Sequence, residues 1–242
     1  MVGDEQIDGN EVDRPENAFS AADTEPVADA SVEELVADLR EGTTLERRRA
    51  ALALAERDPD PDAVGPAVAT AVTDDTDPDV RQFAVEALGE IGGDGAAETV
   101  SAALEDPNPW VRAEAVVTLD HLDREHHRET IDAAIDDDHH AVRRNALVST
   151  FKRSPEAALE SVLDFTDDPS ERVREWVAHL LAGYDDERAR KALKTLCDDP
   201  VDLVAETAER SVEADPERFR SRFGGRSQPD RSEDALNRQP EF

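Results

Sequence analysis

Val80-Arg81-Gln82-Phe83-Ala84-Val85-Glu86-Ala87-Leu88-Gly89-Glu90-Ile91-Gly92, followed by Asp106-Pro107-Asn108-Pro109-Trp110-Val111-Arg112, decides the fold. The first run sets Val80, Ala84 and Leu88 four residues apart, so that they stack on one face of a helix. The second run restarts the pattern 31 residues on, with Val111 answering Val80 and Arg112 answering Arg81. Carried outward, the same step collects Val80, Val111, Val142, Val173 and Val204. It also collects Ala84, Ala115, Ala146, Val177 and Ala208, and then Leu88, Leu119, Thr150, Leu181 and Val212. Only Thr150 interrupts an apolar core stripe. A fixed step of this size marks stacked copies of one supersecondary unit.

A second helix in each unit has its own columns: Ala69, Val100, Ile131, Val162 and Leu193, and three residues later Val72, Ala103, Ala134, Phe165 and Leu196. Between the helices stand Asp77-Pro78, Asp106-Pro107, Asp168-Pro169 and Asp199-Pro200, where proline halts one helix and aspartate caps the next. Each unit is therefore a helical hairpin. The expected fold is all-α, a right-handed α-solenoid of about six stacked hairpins with a 31-residue period.

The recurrence of Asp-Pro, Val-Arg, Ala and Leu-Gly at fixed positions resembles HEAT repeats of the phycobilisome-lyase-like type, over about Val32 to Ala214. The resemblance implies a solenoid and carries no activity with it. Deoxyhypusine hydroxylases, built on similar repeats, place His-Glu pairs just after the arginine; here those slots read Gln82-Phe83, Ala113-Glu114, Arg144-Asn145 and Glu175-Trp176. The resemblance to bilin lyases extends to the scaffold alone and brings no pigment-attachment residues. Haloarchaeal proteins of this repeat class include adaptors between taxis signalling and motility, and the resemblance admits that role.

Three segments are expected. Residues 1–30 hold nine acids and one arginine and read as a disordered acidic lead-in; residues 31–214 form the solenoid; residues 215–242 form a largely disordered tail. Leu45 to Ala55, with Val32 to Arg40 as its leading helix, makes a degenerate first pair. In the tail, Arg218, Arg220 and Arg222 interleave with Phe219 and Phe223, the one locally basic segment.

Composition narrows function. Fifty-nine acids against 27 basic residues give a formal charge of -32, and the only lysines are Lys152, Lys191 and Lys194. Carboxylate-rich, lysine-poor chains resemble salt-adapted archaeal proteins, whose self-repulsion molar salt screens over about 3 Å. Such a surface repels phosphate backbones, so nucleic acid is not an expected partner. Met1 to Asp13 has no apolar run and is expected to be neither a secretory signal nor a membrane span, which points to a cytoplasmic protein. Cys197 is the only cysteine and has no adjacent cation to activate it.

Among charged residues, Asp75, Asp106, Asp137 and Asp168 pair in sequence with Arg81, Arg112, Arg143 and Arg174, each six residues on. An anion-binding row is one reading; a structural ladder in which each arginine bonds carboxylates and helix-end carbonyls of its own or a neighbouring turn is the preferred one. His121, His126, His127, His139 and His140 crowd one stretch with several aspartates, an arrangement that would suit a metal-dependent enzyme if it converged. It lacks two histidines spaced for one helix face, so no metal or cofactor is expected. Trp110 and Trp176, with Arg218, Phe219, Arg220, Arg222 and Phe223, are the candidate partner-binding residues. No small-molecule site is evident, and the function expected is a non-catalytic protein-protein interaction scaffold or adaptor.

Overall fold

The computed structural model describes residues 27–57 and 59–223. Among them every regular element is helical: α1 Val32–Glu41, α2 Thr44–Ala55, α3 Pro61–Asp74, α4 Pro78–Ile91, α5 Ala96–Ala102, α6 Pro109–Asp123, α7 Arg128–Ala133, α8 His140–Arg153, α9 Pro155–Asp164, α10 Glu171–Leu181, α11 Glu187–Leu196, α12 Asp202–Val212 and α13 Pro216–Phe223. Single 3₁₀ turns, Ala103–Glu105 and Ala134–Asp136, prolong α5 and α7. From α1 to α12 the helices pair as antiparallel hairpins. The second helices stack on one another in the order α2, α4, α6, α8, α10, α12, with the odd-numbered helices forming the other layer.

Helix starts follow from local chemistry. Asp77, Asn108 and His139 occupy the N-cap of α4, α6 and α8, and each side chain accepts a backbone N–H of the first turn. Pro78 and Pro109 follow at the first helical position, where a missing N–H costs nothing. Ser31 with Glu34 and Thr43 with Glu46 close reciprocal capping boxes on α1 and α2. Gly92, at φ 68°, ends α4 in a conformation that other residues rarely adopt. A side chain at Gly89 would bring its Cβ to 2.5 Å from Thr118 Cγ2, so this glycine lets α4 and α6 approach.

The valine column Val80, Val111, Val142, Val173 and Val204 is buried throughout, as is Ala84 with its counterparts. Two apolar clusters, one ending at Ala146 and the other beginning at Leu147, meet inside α8. That helix is buried on every side from Ala141 to Phe151. Thr150, the polar interruption, is satisfied by the Ala146 carbonyl at 2.9 Å and Asp132 at 3.0 Å.

The lead-in lies outside the described residues up to 26, but Val27 and Ala30 pack on the core, and Arg57 donates to the carbonyls of Val27 and Ala28. At the other end the packed body runs past 214. Pro216–Phe223 is helical and Phe219 is only 8% exposed. Arginines interleaved with phenylalanines made this segment read as a tail, but the Phe219 ring joins the second apolar cluster. Residues 224–242, and the Arg222 and Phe223 side chains, lie outside what is described.

Candidate interaction face and its salt-bridge ladder

The second-helix layer has two ends and two faces. Along one end, where each second helix begins, runs the arginine-aspartate ladder. Arg81 Nε and a terminal nitrogen fork onto the two carboxylate oxygens of Asp106 at 2.7 and 2.8 Å, 25 residues on. Arg112 takes Asp137, Arg143 takes Asp168 and Arg174 takes Asp199 in the same way. The third guanidinium nitrogen donates to the backbone carbonyl of the aspartate six residues earlier: Arg81 to Asp75, Arg112 to Asp106, Arg143 to Asp137 and Arg174 to Asp168. The carboxylate partner thus comes from the next unit, and the partner six residues away contributes only its carbonyl.

Each aspartate also organises its own turn. Asp106 Oδ1 accepts the Asn108 N–H at 2.8 Å, and Asp137, Asp168 and Asp199 repeat this with His139, Ser170 and Val201. Every rung therefore ties a turn to itself and to the unit before. Two members escaped sequence reading: Arg47, which forks onto Asp75, and Asp199, which receives Arg174. Arg47 stands 34 residues before Arg81, so the fixed step misses it, whereas Asp199 lay in the Asp-Pro column and could have been found there. The Asp106 hydrogen bond raises the Arg81 pKa above its ordinary value, and the Arg174 fork holds the Asp199 carboxyl below the usual carboxylate range. In each rung both nitrogens of the fork and both carboxylate oxygens are engaged in these bonds.

The histidines are dispersed along the same region. His139 is the N-cap of α8, in the column of Asp77 and Asn108, and His140 follows at the first helical position. Trp110 meets both edge-on, with ring centroids 5.2 and 6.2 Å away. His121 faces Glu90 at 3.6 Å, and His126 and His127 meet edge-on in the α6–α7 connection. Burial, with the neighbouring His126, lowers the His127 pKa. Among the described residues no three His, Cys, Asp or Glu side chains are grouped to hold a metal ion. Burial pushes the Cys197 thiol up, with Glu209 and Asp198 adding to the shift, which opposes a reactive thiolate.

The face of the second-helix layer turned away from the odd-numbered helices is the candidate interaction surface. Glu86 lies two residues from Ala84 and two from Leu88, about 200° around the helix from either, so it points away from the core. Its column continues as Val117, Val148 and His179, and one turn earlier stand Gln82, Ala113, Arg144 and Glu175; Ala113, Arg144 and Val148 are buried and the others half-buried, so the face is accessible on α4, α6 and α10 and closed at α8. Glu175 sits near Arg172, Arg144 and Arg210, yet burial raises its pKa. Trp176 is half-buried on α10, edge-on to His179 at 5.5 Å. The two tryptophans therefore occupy separate places, Trp110 at the ladder end and Trp176 beside the open face.

Of the tail candidates, Phe219 packs edge-on against His179 and Phe151 with centroids 4.9 and 6.0 Å apart, and Arg220 donates to the Gly183 carbonyl at 2.9 Å. Phe219 is buried and Arg220 half-buried in these contacts. The sequence pattern held no sign of where the Phe219 ring would land. Arg218 is exposed, and its backbone N–H bonds the Asp215 cap.

Comparison with known proteins agrees with this architecture. The family model for HEAT repeats matches residues 32–120 and 129–213. The Escherichia coli protein YibA superposes with a TM-score of 0.64 at 20% identity, over 82% of this chain and 77% of that one. An archaeal HEAT-like repeats protein from Thermococcus onnurineus NA1 gives 0.47 at 15% identity, over 86% and 100%. The CpcE–CpcF complex of phycocyanin lyase from Nostoc sp. PCC7120 gives 0.43 at 16% identity, over 84% and 98%. No curated protein sequence matches the chain. No helix among the described residues is long and apolar enough to cross a membrane. On the repeat match over most of its length, the chain belongs to the HEAT-repeat family.

Proposed function

We propose that this protein is a non-catalytic protein-protein interaction scaffold, working in a salt-rich cytoplasm. The observation that carries the reading is the contrast between columns. Core positions keep one chemistry from unit to unit, valine at 80, 111, 142, 173 and 204, whereas the half-buried positions of the outer column change from Glu86 to Val117 and His179, with the buried Val148 between them. A face whose residues differ while its backbone spacing stays regular suits recognition of an extended partner over several units. The ladder supports the same reading, since the most regular charged residues are consumed in fastening the units together.

The test uses affinity capture at the salt of the native cytoplasm with three full-length baits: the unaltered chain, Val117→Arg on the open face of α6, and Ala133→Arg on the exposed surface of α7. A stoichiometric partner should be held by the unaltered chain and by Ala133→Arg and lost with Val117→Arg. Equal recovery by all three would sink the open-face assignment. The salt reading has its own check. With -32 formal charges, dialysis into low salt should lower helical circular dichroism, and full retention would count against it.

A further inference from the structure

The C-terminal helix does not sit where a seventh unit or a cap would. In the interior, Leu119 and Leu181 are fully buried because the following unit covers them. Their counterpart on α12, Val212, is 46% exposed. A helix that served to close the solenoid would lie over Val212. Instead α13 sets Phe219 against Phe151 of α8 and His179 of α10, the two second helices before α12.

Phe219 lies against His179, which belongs to the open-face column, and against Phe151 of α8. Gly183, one turn beyond His179, forms the floor: a Cβ there would lie 2.6 Å from Phe151 Cζ and 3.1 Å from a Phe219 ring carbon. Arg220 adds a hydrogen bond to the Gly183 carbonyl, left open by the end of α10. The seat is therefore a small aromatic notch with a carbonyl at its rim. The Tyr184 ring meets Phe151 edge-on at 5.6 Å and so lies beside it.

The occupant is weakly anchored. It has eight residues, below the roughly 12–15 that make a helix stable alone. Asp215 caps it by accepting the N–H groups of Glu217 and Arg218, and Phe219 is its one buried side chain with a described position. Among the side chains described, one ring and one side-chain hydrogen bond attach this short helix to α8 and the end of α10, and a helix laid into a groove is a recurring form of docked ligand.

We propose that Pro216–Phe223 is a tethered, displaceable occupant of a helix-docking site formed by Phe151 of α8 with His179 and Gly183 at the end of α10, and that the protein partner presents a helix of the same chemistry, an aromatic anchor followed by an arginine. This rests on the scaffold reading and makes the chain regulate its own groove, since the tethered helix and the partner compete for one notch.

The probe is a fluorescein-labelled peptide of residues 214–224, titrated by anisotropy into the full chain and into full-length Phe219→Ala. The variant, its notch vacated, should bind the peptide at least tenfold more tightly, the ratio expected when the internal helix is docked in about nine molecules of ten. A peptide carrying the same Phe219→Ala change should bind neither protein. Equal affinity for both proteins, or no binding to a variant that keeps its helical circular dichroism, overturns the proposal. Should that variant lose helicity, full-length Arg220→Ala replaces it, with about threefold tighter binding than the unaltered chain expected and no change overturning. Hydrogen exchange on the unaltered chain gives an independent reading. The amides of residues 220–223 should exchange at least a hundredfold faster than those of α10, whereas equal protection would make α13 an integral part of the fold. If the peptide fails while Val117→Arg still abolishes capture, only the docked-helix inference falls. If Val117→Arg changes nothing, the scaffold reading falls with it.

Discussion

The middle of the molecule and its C-terminal edge are built from the same columns and have opposite fates. In α8 every residue from Ala141 to Phe151 is buried, including Arg143, Arg144, Asn145, Ser149 and Thr150. On α12 the core column ends at Val212, nearly half exposed. A valine is exposed at the edge while a threonine is buried at the centre, so position in the array, not residue type, sets burial. The central polar groups are tolerated because each has a partner: Asn145 donates to the Ala113 carbonyl at 3.0 Å, and Ser149 bonds Asp120, which also takes Arg124. A repeat protein can thus be ordered through the middle and loosely finished at one end.

The sharpest way to break that comparison is at the most buried rung. The side chains of Arg143 and Asp168 are 11% and 3% exposed, against 14% and 15% for Arg112 and Asp137. Removing one partner strands a carboxylate away from water. Arg143→Ala is expected to cost about 4 kcal/mol in urea unfolding, and Arg112→Ala about 2, because Asp137 retains more water. Equal costs at both sites would show that burial does not grade the ladder.

The apolar column offers the next contrast. Leu181→Ala should destabilise by about 3 kcal/mol by leaving a cavity, whereas Val212→Ala should cost under about 0.5, both read as urea midpoints at constant slope. If the two were similar, Val212 would have to be covered by something, a second copy being the candidate. Between these two lies Gly89→Ala, whose methyl would press on Thr118 and cost about 1–2 kcal/mol. Thr118→Ser removes the methyl that clashes, and the double variant should recover most of that loss.

How much of this was legible in the sequence follows from what repeats. The all-helical solenoid could be read because Val80, Ala84 and Leu88 return at one step, and sequence period maps directly onto helix stacking. The ladder residues were legible as residues, but their partners were not: Asp75 and Arg81 are neighbours in the text, while the arginine reaches across to Asp106, a relation set by how adjacent units are offset. The placement of Phe219 was hidden for a different reason. It occurs once, outside the period, and its contacts at Phe151 and His179 depend on the chain reversing direction after Ala214. The histidine cluster shows the opposite failure. Proximity in sequence suggested convergence, yet His139 serves as an N-cap, and His121 and His126 point to other partners.

A further expected effect concerns acid. The Arg174 fork lowers the Asp199 pKa in the folded chain, so the unfolded chain binds a proton first as pH falls. The stability this rung contributes is therefore complete above the ordinary carboxylate value of about 4, and it drains away as pH drops through the lower folded value. Asp199→Asn keeps an oxygen for one arginine nitrogen and removes the titration. Relative to the unaltered chain it should lose on the order of 1 kcal/mol at pH 7, and the gap should close as pH falls from about 4 towards 2. Measuring both proteins together cancels the relief of repulsion that protonating the other carboxylates brings to a chain this acidic. A gap that stayed constant through that window would mean the end rung stabilises through packing of the Asp199 turn on α10 and not through its charge. The edge of the array would then differ from the centre in the kind of fastening, and not only in the degree of burial.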